Sequence, residues 1–136
     1  MITMLRAPRT ASTVLAGLAL LLAAAACNKT SSTAPKATQM FINLGQGQIA
    51  PAGTAVAIPP SVKVADQAFN GISGVSVTFA VTVGGGSITG ANAVTDGSGI
   101  ATVGSWTLGA TKGPNSMTAS STGLAGSPIT FNATGN

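Results

Sequence analysis

Val75 to Ile88 reads V-S-V-T-F-A-V-T-V-G-G-G-S-I, a strict alternation that runs straight into three glycines. Such a run either delivers a glycine-rich loop to a phosphate or ends a strand that needs a turn. A phosphate-cradling loop must open a helix, whose first N–H groups hold the anion. After Gly86 come Ser87, Ile88, Thr89 and Gly90, with no lysine and no helical repeat. Gly45-Gln46-Gly47-Gln48-Ile49-Ala50 matches a dinucleotide-binding pattern on paper, but Pro51 and Gly53 follow at once. Both matches fail on context. The triple glycine turns the chain.

Outward from this stretch, the period stays at two. Val75, Val77, Phe79, Val81 and Val83 share one face, and Ser76, Thr78, Ala80 and Thr82 share the other. Ile129, Phe131 and Ala133 alternate with Thr130, Asn132 and Thr134, Met117 and Ala119 with Ser116, Thr118 and Ser120, while Val62 and Val64 flank Lys63. Strands with one apolar and one hydroxyl-rich face are half-buried and antiparallel. Turn signals recur at Pro59-Pro60, Asn70-Gly71, Asp96-Gly97, Lys112-Gly113-Pro114 and Gly126-Ser127-Pro128. The expectation is an all-β, immunoglobulin-like β-sandwich of about seven to eight antiparallel strands over residues 40–136. The only cysteine, Cys27, lies outside that span, so the sandwich has no disulfide. Aliphatic packing around Phe79, Trp106 and Phe131 must hold it together.

One slip in the alternation is informative. Ala101 and Val103 have one parity, whereas Trp106 and Leu108 have the other. A plain strand would send one pair to solvent, so a bulge at Gly104-Ser105 is expected to return Trp106 to the core.

The inventory of ionisable groups narrows function. Charged residues are 6% of the 136-residue chain; there is no His or Tyr, and Asp66 and Asp96 are the only acids. General acid–base catalysis and metal binding draw on clusters of just these groups, so no catalytic residue, metal site or cofactor is expected. Without His, a serine nucleophile would need a lysine base, and no Ser-x-x-Lys pairing follows Cys27 within residues 40–136. Asp66 and Asp96 read as turn residues whose carboxylates bond the local backbone. The pI near 10.0 owes much to Arg6 and Arg9. From Cys27 onward, four scattered lysines face two aspartates. No basic patch interleaved with aromatics exists, and nucleic acid is not an expected partner.

Residues 1–26 read as a signal peptide. Arg6 and Arg9 precede Val14 to Ala26, an apolar run of thirteen residues, too short to span a bilayer, which takes about 20. Asn28 to Gln39 is polar and Ser/Thr-rich, broken by Pro35, and reads as a flexible tether over residues 27–39.

Leu21-Leu22-Ala23-Ala24-Ala25-Ala26-Cys27 resembles a bacterial lipoprotein signal, which implies lipidation of Cys27 and attachment to the membrane through that lipid. The usual pattern has leucine three positions before the cysteine, where this chain has Ala24, and ordinary signal-peptidase cleavage is the alternative. Asn28, rather than Asp, after the cysteine implies an outer-membrane lipoprotein, exported to the cell envelope.

Four blocks in order, Asp66–Ile88, Val94–Gly109, Gly113–Ser120 and Ser127–Gly135, resemble the bacterial Ig-like domain of group 1, the repeat of invasin- and intimin-type surface proteins. The family usually has Gly-Asn-Pro where this chain has Phe69-Asn70-Gly71. Its shared positions, here Asp66, Asn70, Asp96 and Trp106, are structural. Invasin-type adhesins carry many copies and often a terminal binding domain, so receptor binding does not carry over. The resemblance implies a non-enzymatic envelope module with a structural or protein-interaction role, facing a protein or envelope-polymer partner. A carbohydrate- or polymer-binding module is the alternative.

Overall fold

A computed structural model describes residues 33–136, of which Pro35–Asn136 form one compact unit. Residues 1–32, with the signal segment and Cys27, lie outside the described residues.

The described chain is all-β. Ten strands follow in order: β1 (Gln39–Leu44), β2 (Gln48–Ala50), β3 (Ser61–Ala65), β4 (Ser76–Val83), β5 (Ser87–Thr89), β6 (Asn92–Val94), β7 (Ile100–Thr102), β8 (Ser105–Thr107), β9 (Gly113–Ser120) and β10 (Ile129–Gly135). They form one sheet β1-β3-β7, a second sheet β2-β10-β9-β4-β6, and a pair β5-β8. The strand count exceeds the seven to eight of the sequence reading because single strands are cut into short pieces. β1 and β2 split one N-terminal run between the two sheets. β2 pairs with β10 in parallel, from Gln48↔Ala133 to Ala50↔Gly135, whereas every other ladder is antiparallel.

Thr38 donates its N–H to the Ala65 carbonyl and Gln39 opens β1. The domain therefore takes in residues that composition assigned to the tether.

The core lies between the sheets. Met40, Val62, Val64 and Ala101 enter from one side; Val77, Phe79, Met117, Ala119, Phe131 and Ala133 enter from the other. The alternation in β9 and β10 is unbroken, with every second residue buried. In β4 it fades. Val77 and Phe79 are buried, but Val83 is 48% exposed, because the ladder to β9 shifts register between Val81 and Val83.

The parity of β7 and β8 reverses, and the cause is a break in the strand rather than a bulge within one ladder. β7 pairs with β3 as far as Ser61↔Thr102. Opposite the next residues stand Pro59 and Pro60, which have no N–H to donate. Val103 donates to the Pro60 carbonyl at 3.1 Å, and Gly104 turns instead to the Thr89 carbonyl at 2.8 Å. A Cβ on Gly104 would come within 2.6 Å of Thr89 Oγ1, so only glycine permits this approach. The strand resumes as β8, held by Val56 N–H to the Trp106 carbonyl and Leu108 N–H to the Thr54 carbonyl, both 2.9 Å. Ala101, Val103, Trp106 and Leu108 are all buried.

Trp106 is fully buried in the same cluster as Phe79 and Phe131. Its indole N–H has no hydrogen-bond partner in the described structure. A buried orphan donor costs about 1–3 kcal/mol, which the apolar area of the ring outweighs. Emission from Trp106 should therefore be blue and hardly quenched by iodide. Trp106→Ala should lower stability by about 3–5 kcal/mol, as emptying an aromatic core site does, read by urea unfolding. Wild-type stability in that variant would remove the ring from the core.

Candidate functional site

Two hairpin loops lie side by side at one end of the sandwich, and each is organised by an aspartate. Asp66 closes the loop after β3. Its Oδ1 accepts the N–H groups of Ala68 at 2.8 Å and Asn70 at 3.0 Å, while the Asn70 amide donates to both oxygens at 3.1 and 3.3 Å. Asp96 closes the loop before β7 in the same way, its Oδ1 accepting from Ser98 at 2.8 Å and Ile100 at 3.0 Å. In both loops the N–H three residues on, of Phe69 or Gly99, donates to the aspartate carbonyl. This is the side-chain mimicry that makes Asp a turn residue. The loops meet at Gly71 and Gly99, where a Cβ on Gly99 would come within 2.6 Å of Gly71 Cα, and β3 joins them as Val64 N–H donates to the Gly99 carbonyl at 2.7 Å.

These donors lower the pKa of both carboxyls. For Asp66 the Asn70 amide is the largest cause and the Asn70 N–H the next. For Asp96 the leading causes are the N–H groups of Ile100 and Ser98. Neither acid is positioned as a proton donor or metal ligand. Among the described residues no three groups of the metal-binding types come together.

The equivalent fourth position of the two loops differs sharply. Gly99 has φ 81°, ordinary for glycine, while Phe69 has φ 67° and is the one non-glycine with positive φ among the described residues. An L-residue pays about 1–2 kcal/mol for this conformation. Phe69 is nonetheless 64% exposed. Its ring meets Phe41 in a tilted pair with centroids 6.2 Å apart. Phe41 stands on the outward side of β1, in register with Lys63 of β3, which is in register with Ile100 of β7. The sequence reading placed Phe79, Trp106 and Phe131 in the core and missed this outward pair. The sequence held one sign of it: Phe41 has the parity of Asn43, against buried Met40.

On the adjoining face a shallow trough of about 460 Å³ is lined by Ser76, Thr78, Ser120, Ser121, Thr122 and Ser127 among others. Its hydroxyls are mostly engaged locally. Ser121 Oγ donates to the Ser76 carbonyl at 2.8 Å, and Ser127 Oγ accepts the Ser121 N–H at 2.9 Å. Ser127 Oγ, which only accepts there, keeps its O–H free to donate toward the trough.

Of the residues singled out from sequence, Asp66 and Asp96 come together in the paired loops, whereas Trp106, Phe79 and Phe131 come together in the core. Cys27 lies outside the described residues.

With this geometry in hand, comparison with known proteins is informative about fold. No family model matches the chain, and no curated protein matches it. Among solved structures, the FdeC adhesin of Escherichia coli is similar with a TM-score of 0.56 and 18% identity, over 76% of this chain and 32% of that one. The D00-D0 domain structure of intimin gives 0.50 and 20%, over 78% and 48%. A β-glucuronidase of Parabacteroides merdae gives 0.51 and 18%, over 79% and 13%. This chain thus covers less than half the length of each. The domain is an Ig-like sandwich of the kind found in intimin and adhesins.

The paired aspartate turns predict an acid-sensitive end. Both carboxyls have folded-state pKa values below their ordinary 3.8. Their stabilisation is complete above that value and is lost as pH falls through the lower folded value. Thermal melts should show stability falling below about pH 4, and Asp66→Asn combined with Asp96→Asn should flatten that fall. An unchanged acid profile in the double variant would mean that the carboxylates do not stabilise the loops.

Proposed function

We propose that this chain is an exported, lipid-anchored Ig-like module of the bacterial cell envelope, with a structural or protein-interaction role in adhesion and no catalytic activity. What carries the reading is the order of parts along the chain. A basic segment and a thirteen-residue apolar run end at Cys27, a polar tether follows, and then an Ig-like sandwich similar in fold to a domain of an adhesin. An address, an anchor, a spacer and a display domain form a coherent order of parts.

The chemistry of the domain supports a role without catalysis. Residues 33–136 contain no His or Cys, and the two carboxylates are engaged by their own turns. Three lysines remain in this span, Lys36, Lys63 and Lys112. The exposed faces carry many hydroxyls and amides and few charges, together with single apolar side chains such as Ile49, Phe69 and Val94. Adhesion by such a surface rests on shape and hydrogen bonding rather than on electrostatic steering.

A second reading, a carbohydrate- or polymer-binding module, is favoured by the hydroxyl-lined trough between β4, β9 and the loop after it. Sugars are held by such groups, usually against an aromatic face, and no aromatic lines this trough. Glycan-array binding lost on Thr122→Ala or Ser120→Ala would promote this reading.

The first reading is tested at Cys27. Intact mass of protein from the native membrane fraction should show a chain beginning at Cys27 with added acyl mass. Cys27→Ser should move the protein to the soluble fraction. Two or more acyl chains anchor firmly where one does not, so unmodified Cys27 in soluble protein would overturn the anchor.

A further inference from the structure

Phe69 is a strained residue without an internal reason for its strain. The neighbouring loop, closed by the same hydrogen bonds, places glycine at the corresponding position. Glycine at 69 would relieve the backbone at little loss of buried surface, since the ring, paired with Phe41, remains 64% exposed. A bulky side chain kept in this region points to a task outside the fold.

Its place indicates the task. Gln39 Nε2 donates to the Asp66 carbonyl at 2.7 Å, and Thr38 N–H donates to the Ala65 carbonyl at 2.9 Å. The loop bearing Phe69 therefore sits where the chain enters the domain. Cys27 lies eight residues before Pro35, a reach of at most about 28 Å. Exposed Lys36 stands on that incoming segment, and Lys63 lies beside Phe41. The Asp66 carboxylate nearby is enclosed by donors of its own turn. The opposite end carries Gly84 to Gly86, Lys112 and Asn136, whose N–H donates to the Ala50 carbonyl.

We propose that Phe69, with Phe41 beside it, docks this end of the domain on the surface of the bilayer that holds Cys27, seating its ring among the lipid headgroups with Lys36 and Lys63 toward their phosphates. The proposal rests on the lipid-anchor reading. A phenylalanine ring suits the boundary between headgroups and acyl chains, and lysine stems suit the same interface, apolar stem inward and charge outward. One ring and two lysines bind a free bilayer weakly. A short tether supplies a local concentration in the millimolar range, however, and makes a weak contact sufficient. Docking would fix the orientation of the domain and turn residues 84–86 and 109–112 away from the membrane.

The test uses the chain from Cys27 onward, which retains the whole compact unit. Its single thiol is coupled to a maleimide lipid in phosphatidylethanolamine–phosphatidylglycerol vesicles, so the tether is present whether or not the cell lipidates Cys27. Phe69→Trp places a reporter at the docking loop, and Lys112→Trp places one at the far end. Buried Trp106 of the unsubstituted chain gives the background, and thermal melts confirm folding of each variant. Brominated acyl chains should quench and blue-shift Phe69→Trp emission only when the protein is tethered, and leave Lys112→Trp unaffected. Phe69→Gly, which suits the turn's backbone, should abolish the vesicle-dependent protection of residues 66–72 from hydrogen exchange. Unquenched Phe69→Trp, or equal quenching at both ends, would overturn docking, as would stronger quenching at Lys112→Trp. If Phe69→Trp is instead altered by soluble envelope glycan or protein and not by bilayer, the loop serves a different partner and docking is likewise overturned. The anchor reading fails by a separate signal, the absence of acyl mass on Cys27 in the native membrane.

Discussion

Everything else in this domain depends on how Trp106 reaches the space between the sheets. A sandwich of this size without a disulfide must draw its stability from one apolar core, and the largest side chain of that core is Trp106, in one cluster with Phe79 and Phe131. Trp106 reaches it only because β7 and β8 break apart at Val103-Gly104, where Pro59 and Pro60 offer no N–H groups and Gly104 lets Thr89 come close. Two prolines and one glycine thus set the parity of an entire strand. Without the reversal, either Ala101 and Val103 or Trp106 and Leu108 would face water. The orphaned indole N–H shows which consideration wins: packing the ring outweighs satisfying its one polar atom.

Sequence periodicity made much of this legible. The alternations of β4, β9 and β10 identified Val77, Phe79, Met117, Ala119 and Phe131 as inward, because a period of two maps directly onto the faces of a strand. The turn role of Asp66 and Asp96 was legible for a local reason, since the carboxylate bonds its own loop. What stayed hidden was non-local. The proline partners of Val103 lie more than forty positions away. The parallel pairing of β2 with β10 involves three residues on one side, too few to show a period. Phe69 was hidden because its φ is imposed by hairpin closure and not by its own preference. The change from the glycine usual at that position in the resembling family was the visible trace.

The sheet edges of this sparsely charged domain are short and interrupted. Edge strands β2 and β6 have three residues each, and the ladder of β1 is irregular between Ile42 and Leu44. Beside β2, the Gln46 side chain accepts the Asn132 N–H at 2.7 Å, an edge donor of β10 that would otherwise be open. Gln48 brackets Ile58 in the same manner, accepting its N–H and donating to its carbonyl. Short, interrupted and amide-capped edges are poor templates for another chain. The two loop ends differ: one carries the aspartate turns and Phe69, the other the glycine turns of residues 84–86.

The claim that a single tryptophan-centred core holds both sheets together is tested most directly by following urea unfolding with Trp106 emission and far-UV circular dichroism on the same samples. If the core and the sheets are one cooperative unit, the two signals trace a single transition with the same midpoint and slope. Red-shifted emission developing at urea concentrations that leave the β-sheet signal intact would contradict the account, because the sheets would then be standing without the ring between them.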